Sequence, residues 1–255
     1  MRRDDRAELR TLAFALLVSL VLWNLPFGGG ILYPFKLLAT WFHEMSHGLI
    51  MILTGAQLDH VLIYRDTSGL SYAVWAIEPV GTAAIAAAGY MGTPLWGAVL
   101  LVTTPTAQSA RRALLVMAAL MLATAMFVVT PTPEGDHFGV YVTMGMGFSV
   151  VACAMFLPAR VRVFCAHFIA AQACINALLD IRVLFRPMQV VNGVIAGNSD
   201  ASAMADATFG TRAPWAVWFW ASVWLAWSLA VLFVALRVSG SRASKRVAQP
   251  APTTA

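Results

Sequence analysis

The chain has 255 residues, 60% of them hydrophobic and only 11% charged, with a formal net charge of +5. That balance excludes an ordinary soluble domain and describes a chain that uses lipid as solvent. The positive excess fits lysine and arginine flanking membrane segments, and its placement gives no sign of a nucleic-acid surface.

Apolar runs predict about six to seven transmembrane helices, at 11–27, 31–54, 79–103, 112–130, 138–157, 163–186 and 214–236, each near the length that crosses a hydrocarbon core. The expected fold is all-α and polytopic, one membrane domain over residues 1–237 with a disordered tail over 238–255. Ahead of the first run, Asp4, Asp5 and Glu8 interrupt the basic residues, which argues for an uncleaved first helix. The second run contains WFHEMSHGLIMILTG (41–55), with two histidines and a glutamate in an otherwise apolar stretch.

Residues 57–76 break the helical pattern. β-Branched and aromatic residues on either side of Asp66-Thr67-Ser68-Gly69 predict a small interfacial β-hairpin. The run 79–103 opens after Glu78, a helix-start charge, and carries Gly89, Gly92, Pro94 and Gly97, which predict a kink or break. Thr130 to Asp136 form a polar turn rich in Pro and Gly. The run 163–186 carries Asn176 and Asp180 one helical turn apart, and residues 187–213 form the longest polar connection. Five tryptophans crowd the last run, as interfacial anchors and apolar bulk. Cys153, Cys165 and Cys174 all lie in apolar segments and imply no disulfide framework.

His43, Glu44 and His47 spell His-Glu-x-x-His on a helix. The i, i+4 spacing puts both imidazoles on one face, where they can hold one zinc ion, and Glu44 can serve a bound water as general base. Ionisable groups at membrane depth are expensive and mark functional sites. A hydrolytic zinc site needs a third protein ligand, and Asp180 is the first candidate. It lies in the second half of its span, as His43 and His47 do in theirs, and in an alternating series the two helices run parallel. Asp200 and Asp206 could cap the site or supply an alternative ligand. His60, His137 and His167 are isolated.

The pattern His43-Glu44-Met45-Ser46-His47-Gly48, the hairpin after it, and Asn176-Ala177-Leu178-Leu179-Asp180 in a late helix resemble the site-2 protease family of intramembrane zinc metallopeptidases, in its compact bacterial branch without a PDZ domain. The resemblance implies that His43, His47 and Asp180 ligate Zn2+, that Glu44 is the catalytic base, and that Asn176 contacts substrate or the developing oxyanion. It implies a membrane-protein substrate, added as a strand to the 57–76 hairpin, and a bacterial inner-membrane location. The chain departs from the better-studied members in having no proline between Asn176 and Asp180 and no glycine after the aspartate. A metal-binding or transport protein, or a silent scaffold, would use the same ligands without hydrolysis. The transporter would need more polar residues along its helices than are present, and the scaffold would have no use for Glu44.

Overall fold

The computed structural model describes residues 14–248 apart from 16, 20, 75–78, 186–188 and 197–198, and only the backbone of 79–80, 189–191, 194–196 and 240–248. Glu78 lies outside the described residues. The helices are α1 (Gly28–Leu53), α2 (Pro79–Thr103), α3 (Ala107–Phe127), α4 (Phe138–Phe156), α5 (Ala159–Leu184), α6 (Asp200–Phe209) and α7 (Pro214–Ala248). Two antiparallel hairpins, β1 (Leu58–Ile63) with β2 (Gly69–Ala73) and β3 (Gln189–Val191) with β4 (Val194–Ala196), lie between them. This is the expected all-α polytopic architecture with a small hairpin after α1.

Among the described residues, five helices are long and apolar enough to cross a bilayer, namely α2, α3, α4, α5 and α7. A sixth span exists only if α1 is counted together with a short segment before it, Leu17–Asn24, which meets α1 at 120°. The run 11–27, expected as a straight first span, is therefore bent at its end, and its residues 11–13 lie outside the described part. Pro26 sits in the bend, and a Cβ on Gly28 would stand 1.6 Å from the Leu22 carbonyl oxygen. The chain can double back this tightly because Gly28 has no side chain.

At the other end, α7 continues to Ala248, so the first part of the expected disordered tail is helix. No proline occurs after Pro214 until Pro250, and Arg, Lys and Ala are good helix formers. Similarly, α2 is one unbroken helix. Gly89 and Gly92 allow close approach to α1, and Gly97 to α5, instead of breaking the helix.

The main core is built from Leu37, Trp41 and Phe42 of α1, Val61 and Ile63 of β1, and buried faces of α2 to α5. A second cluster joins Tyr90 of α2, Ile181 and Leu184 of α5, Ala201 and Met204 of α6, and Trp224 of α7. It clamps the short helix α6 to the bundle. Ser199 caps α6 by accepting from the Ser202 N–H, and Gly210 ends it in the left-handed conformation at φ 65°.

The first hairpin is closed by an Asx turn, in which Asp66 Oδ1 accepts from the Ser68 N–H at 3.0 Å. The outer edge of β1 is covered, because Val61 exchanges backbone hydrogen bonds with Val128 and Thr130. A bidentate Arg65–Asp136 pair at 3.0 and 3.2 Å ties the turn to the α3–α4 loop. The hydrogen bond from Arg65, with that of the Phe138 N–H, holds the Asp136 carboxyl below its ordinary value of 3.8. A carboxyl depressed on folding stabilises above its ordinary pKa, and that contribution disappears as pH falls through the folded value. Exchange protection of the β1–β2 amides, corrected for intrinsic rates, should therefore drop below pH 3.8 in the wild type, and not in Arg65→Met, which has already lost the pair.

Candidate metal centre

His43 and His47 project from the same face of α1 into a cavity of about 710 Å³. It is lined also by Glu44, Asn176, Asp180, Asp200, Tyr90 and by Gly69, Leu70, Ser71 and Ala73 of β2. The sequence-predicted residues of α1 and α5 thus reach one chamber.

The carboxylate that meets both imidazoles belongs to Asp200. Its Oδ2 lies 3.1 Å from His43 Nε2 and 3.2 Å from His47 Nε2. The three ligand atoms all fall within 4.8 Å of one another. Ligands about 2.1 Å from a tetrahedral ion stand roughly 3.4 Å apart, so this donor set fits zinc. Asp180, expected as the third ligand, lies outside this group. It is exposed on the cavity wall near the end of α5, with no ion pair among the described residues. The physical reason is the chain reversal after α5: the second hairpin and α6 return Asp200 over the two histidines, while Asp180 remains on its own helix.

The neighbours fix protonation and orientation. His47 Nδ1 is 2.7 Å from the carbonyl oxygen of Ile85, which can only accept, so Nδ1 carries the proton and Nε2 keeps its lone pair for a metal. Burial opposes ionisation of Asp200, and the facing His47 and His43 imidazoles favour it. His43 packs edge-on against Tyr90, with ring centroids 4.7 Å apart.

Glu44 is buried between α1 and β2. Ser71 Oγ lies 2.7 Å from Glu44 Oε2 and 3.0 Å from its backbone oxygen, and donates its single proton between them. A Cβ on Gly69 would come within 2.7 Å of Glu44 Oε1, so the strand approaches this closely only with glycine there. Glu44 therefore has one oxygen held by β2 and the other without a hydrogen bond among the described residues.

Asn176 lines the cavity and donates from Nδ2 to the Gln172 carbonyl at 2.9 Å. Asp206 turns away and pairs with Arg212 at 2.8 Å. His60 pairs with Asp59 and stacks on Tyr72, His137 stacks on Tyr141, and His167 is fully buried outside the cavity. Sequence reasoning did not find Tyr90, Ser71 or Gly69 as parts of this site, because each arrives from another element. It named Gly89 only as a helix breaker.

No curated protein and no solved structure shows significant similarity to this chain. The sequence profile of the Peptidase M50B-like family matches residues 11–235, which include both histidines, Glu44 and both cavity aspartates. With that match over most of its length, and a His-Glu-x-x-His cavity inside a membrane bundle, the chain belongs to the Peptidase M50B-like family of site-2 protease type.

Proposed function

We propose that the chain is an intramembrane zinc metalloendopeptidase whose metal ligands are His43, His47 and Asp200. The observation that carries this reading is the Asp200 carboxylate within 3.2 Å of both imidazoles, beside a buried Glu44. When bound, the zinc supplies Lewis acidity and makes water acidic enough to be activated at neutral pH. Glu44 takes the proton of the attacking water at one oxygen while Ser71 holds the other. It then returns that proton to the departing amine of the cleaved peptide. Asp180 and Asn176 face the substrate side of the cavity in this assignment.

The substrate is a membrane-protein segment that adds as a strand to β2. One edge of β2 is paired with β1, and its other edge has no backbone partner among the described residues and borders the cavity. Strand addition there would place an extended backbone beside Glu44 and satisfy the edge groups. A bacterial cell membrane as the location belongs to the same reading, through the resemblance to the compact bacterial branch.

The test uses the protein reconstituted in vesicles with a pool of single-span peptides tagged at both ends, with fragments read by mass spectrometry. Cleavage that stops on chelation with 1,10-phenanthroline and returns with zinc supports the assignment. Cleavage indifferent to chelation, or none from any peptide, overturns it.

A further inference from the structure

Tyr90 projects from α2 into the metal cavity, and its ring is covered on two sides. The His43 ring meets it edge-on, and Trp224 of α7 stacks on it with centroids 5.2 Å apart and planes 8° apart. The residue is 8% exposed, and what remains open borders the cavity. Asp200, Asp180 and Glu44 line the same cavity wall. None of the three accepts a hydrogen bond from the Tyr90 hydroxyl, which has no hydrogen-bond partner among the described residues. It is also not one of the side-chain polar atoms sealed from solvent without a partner.

A phenylalanine would fill the same packing position. The hydroxyl has no partner among the described residues of the bundle and is open to the cavity, so it can donate to an acceptor that arrives there. Close packing of α2 holds the residue in place. A Cβ at Gly89 would stand 2.3 Å from His43 Nε2, and one at Gly92 would stand 2.2 Å from Ser46 Oγ, so the backbone on either side of Tyr90 sits directly on α1. The ring is therefore held in place on the wall of the chamber that Glu44 also lines.

We propose that the Tyr90 hydroxyl is a catalytic hydrogen-bond donor to the oxygen of the scissile carbonyl. This rests on the peptidase reading above. As water adds to the carbonyl carbon and its proton passes to Glu44, the π electrons move onto the carbonyl oxygen. The Tyr90 O–H, which keeps its proton, donates to that oxygen more strongly than to the neutral carbonyl. Preorganised donors of this kind act on the developing charge and add little to ground-state binding.

The test is Tyr90→Phe, which keeps the ring, its contact with His43 and its stack on Trp224. It is assayed on the best-cleaved tagged peptide and on binding of a phosphinic analogue of that peptide, or of a Leu-Ala phosphinic peptide if none is cleaved. The tetrahedral oxyanion of the phosphinate mimics the attacked carbonyl. The expected result is a fall in kcat of about 10²-fold with KM within about twofold, a similar loss of phosphinate affinity, and unchanged zinc content. If the wild type cleaves and Tyr90→Phe matches it in both kcat and phosphinate binding, the Tyr90 assignment fails while the peptidase reading stands. Zinc lost in Tyr90→Phe would also overturn it, since the residue would then only position His43. A wild type that neither cleaves nor binds the phosphinate sinks both.

Discussion

Glu44→Gln should leave zinc bound and lower the rate of peptide cleavage by about 10²- to 10⁴-fold, the range that a positioned general base contributes. The amide keeps the volume and the oxygen that accepts from Ser71, so the contact between α1 and β2 survives. What it removes is the second carboxylate oxygen, the one that Ser71 leaves free for a proton. Since Glu44 is not among the three grouped ligand atoms, metal affinity should hold. Cleavage by Glu44→Gln at more than a tenth of the wild-type rate, with zinc in place, would remove Glu44 from the mechanism.

Gly89→Ala should abolish zinc binding without unfolding the chain. The added methyl carbon would lie 2.3 Å from His43 Nε2 and 2.5 Å from His47 Nε2, the two atoms that face Asp200. Neither ring can simply swing aside, because His47 is hydrogen-bonded to the Ile85 carbonyl and His43 is packed against Tyr90. Relief must come from rotating the imidazoles out of register or moving α2 away from α1, and either spoils the donor set. Overpacking of this kind costs about 1–3 kcal/mol. The better helix propensity of alanine offsets roughly 0.8–1.0 kcal/mol of that, so the bundle should still assemble. The check is zinc content beside helical circular dichroism of the purified variant. Wild-type zinc in Gly89→Ala would mean that the imidazoles do not point where the structure puts them.

How much of this was legible in the sequence depended on how local each signal was. His43, Glu44 and His47 sit on one helix face, and helical periodicity alone brings them together. The first hairpin could be read from β-branched residues around Asp66-Thr67-Ser68-Gly69. The second was equally readable, since Asn192-Gly193 between Val190-Val191 and Val194-Ile195 is a strong two-residue hairpin signal, and both turn residues do adopt positive φ. The polar composition of 187–213 around it masks the signal. Ser199 and Gly210 similarly marked the two ends of α6.

What no local rule could show was where α6 docks. Asp200 and Asp206 look alike in sequence, yet Ala201 and Met204 bury against Tyr90, Ile181 and Trp224 and set Asp200 on the histidines, while Asp206 meets Arg212. That distinction is a product of tertiary packing. The span 11–27 misled for a related reason: its apolar length is sufficient to cross a membrane, and only the clash that a side chain at Gly28 would make with Leu22 reveals the bend.

The choice between the two cavity aspartates is the point on which the account turns, and zinc content of detergent-purified protein decides it. Wild type and Asp180→Ala should each carry about one zinc per chain, and Asp200→Ala should lose it, as a site left with two histidines lacks the third protein ligand of a hydrolytic centre. Zinc retained in Asp200→Ala and lost in Asp180→Ala would contradict the account, and would return the third ligand to α5.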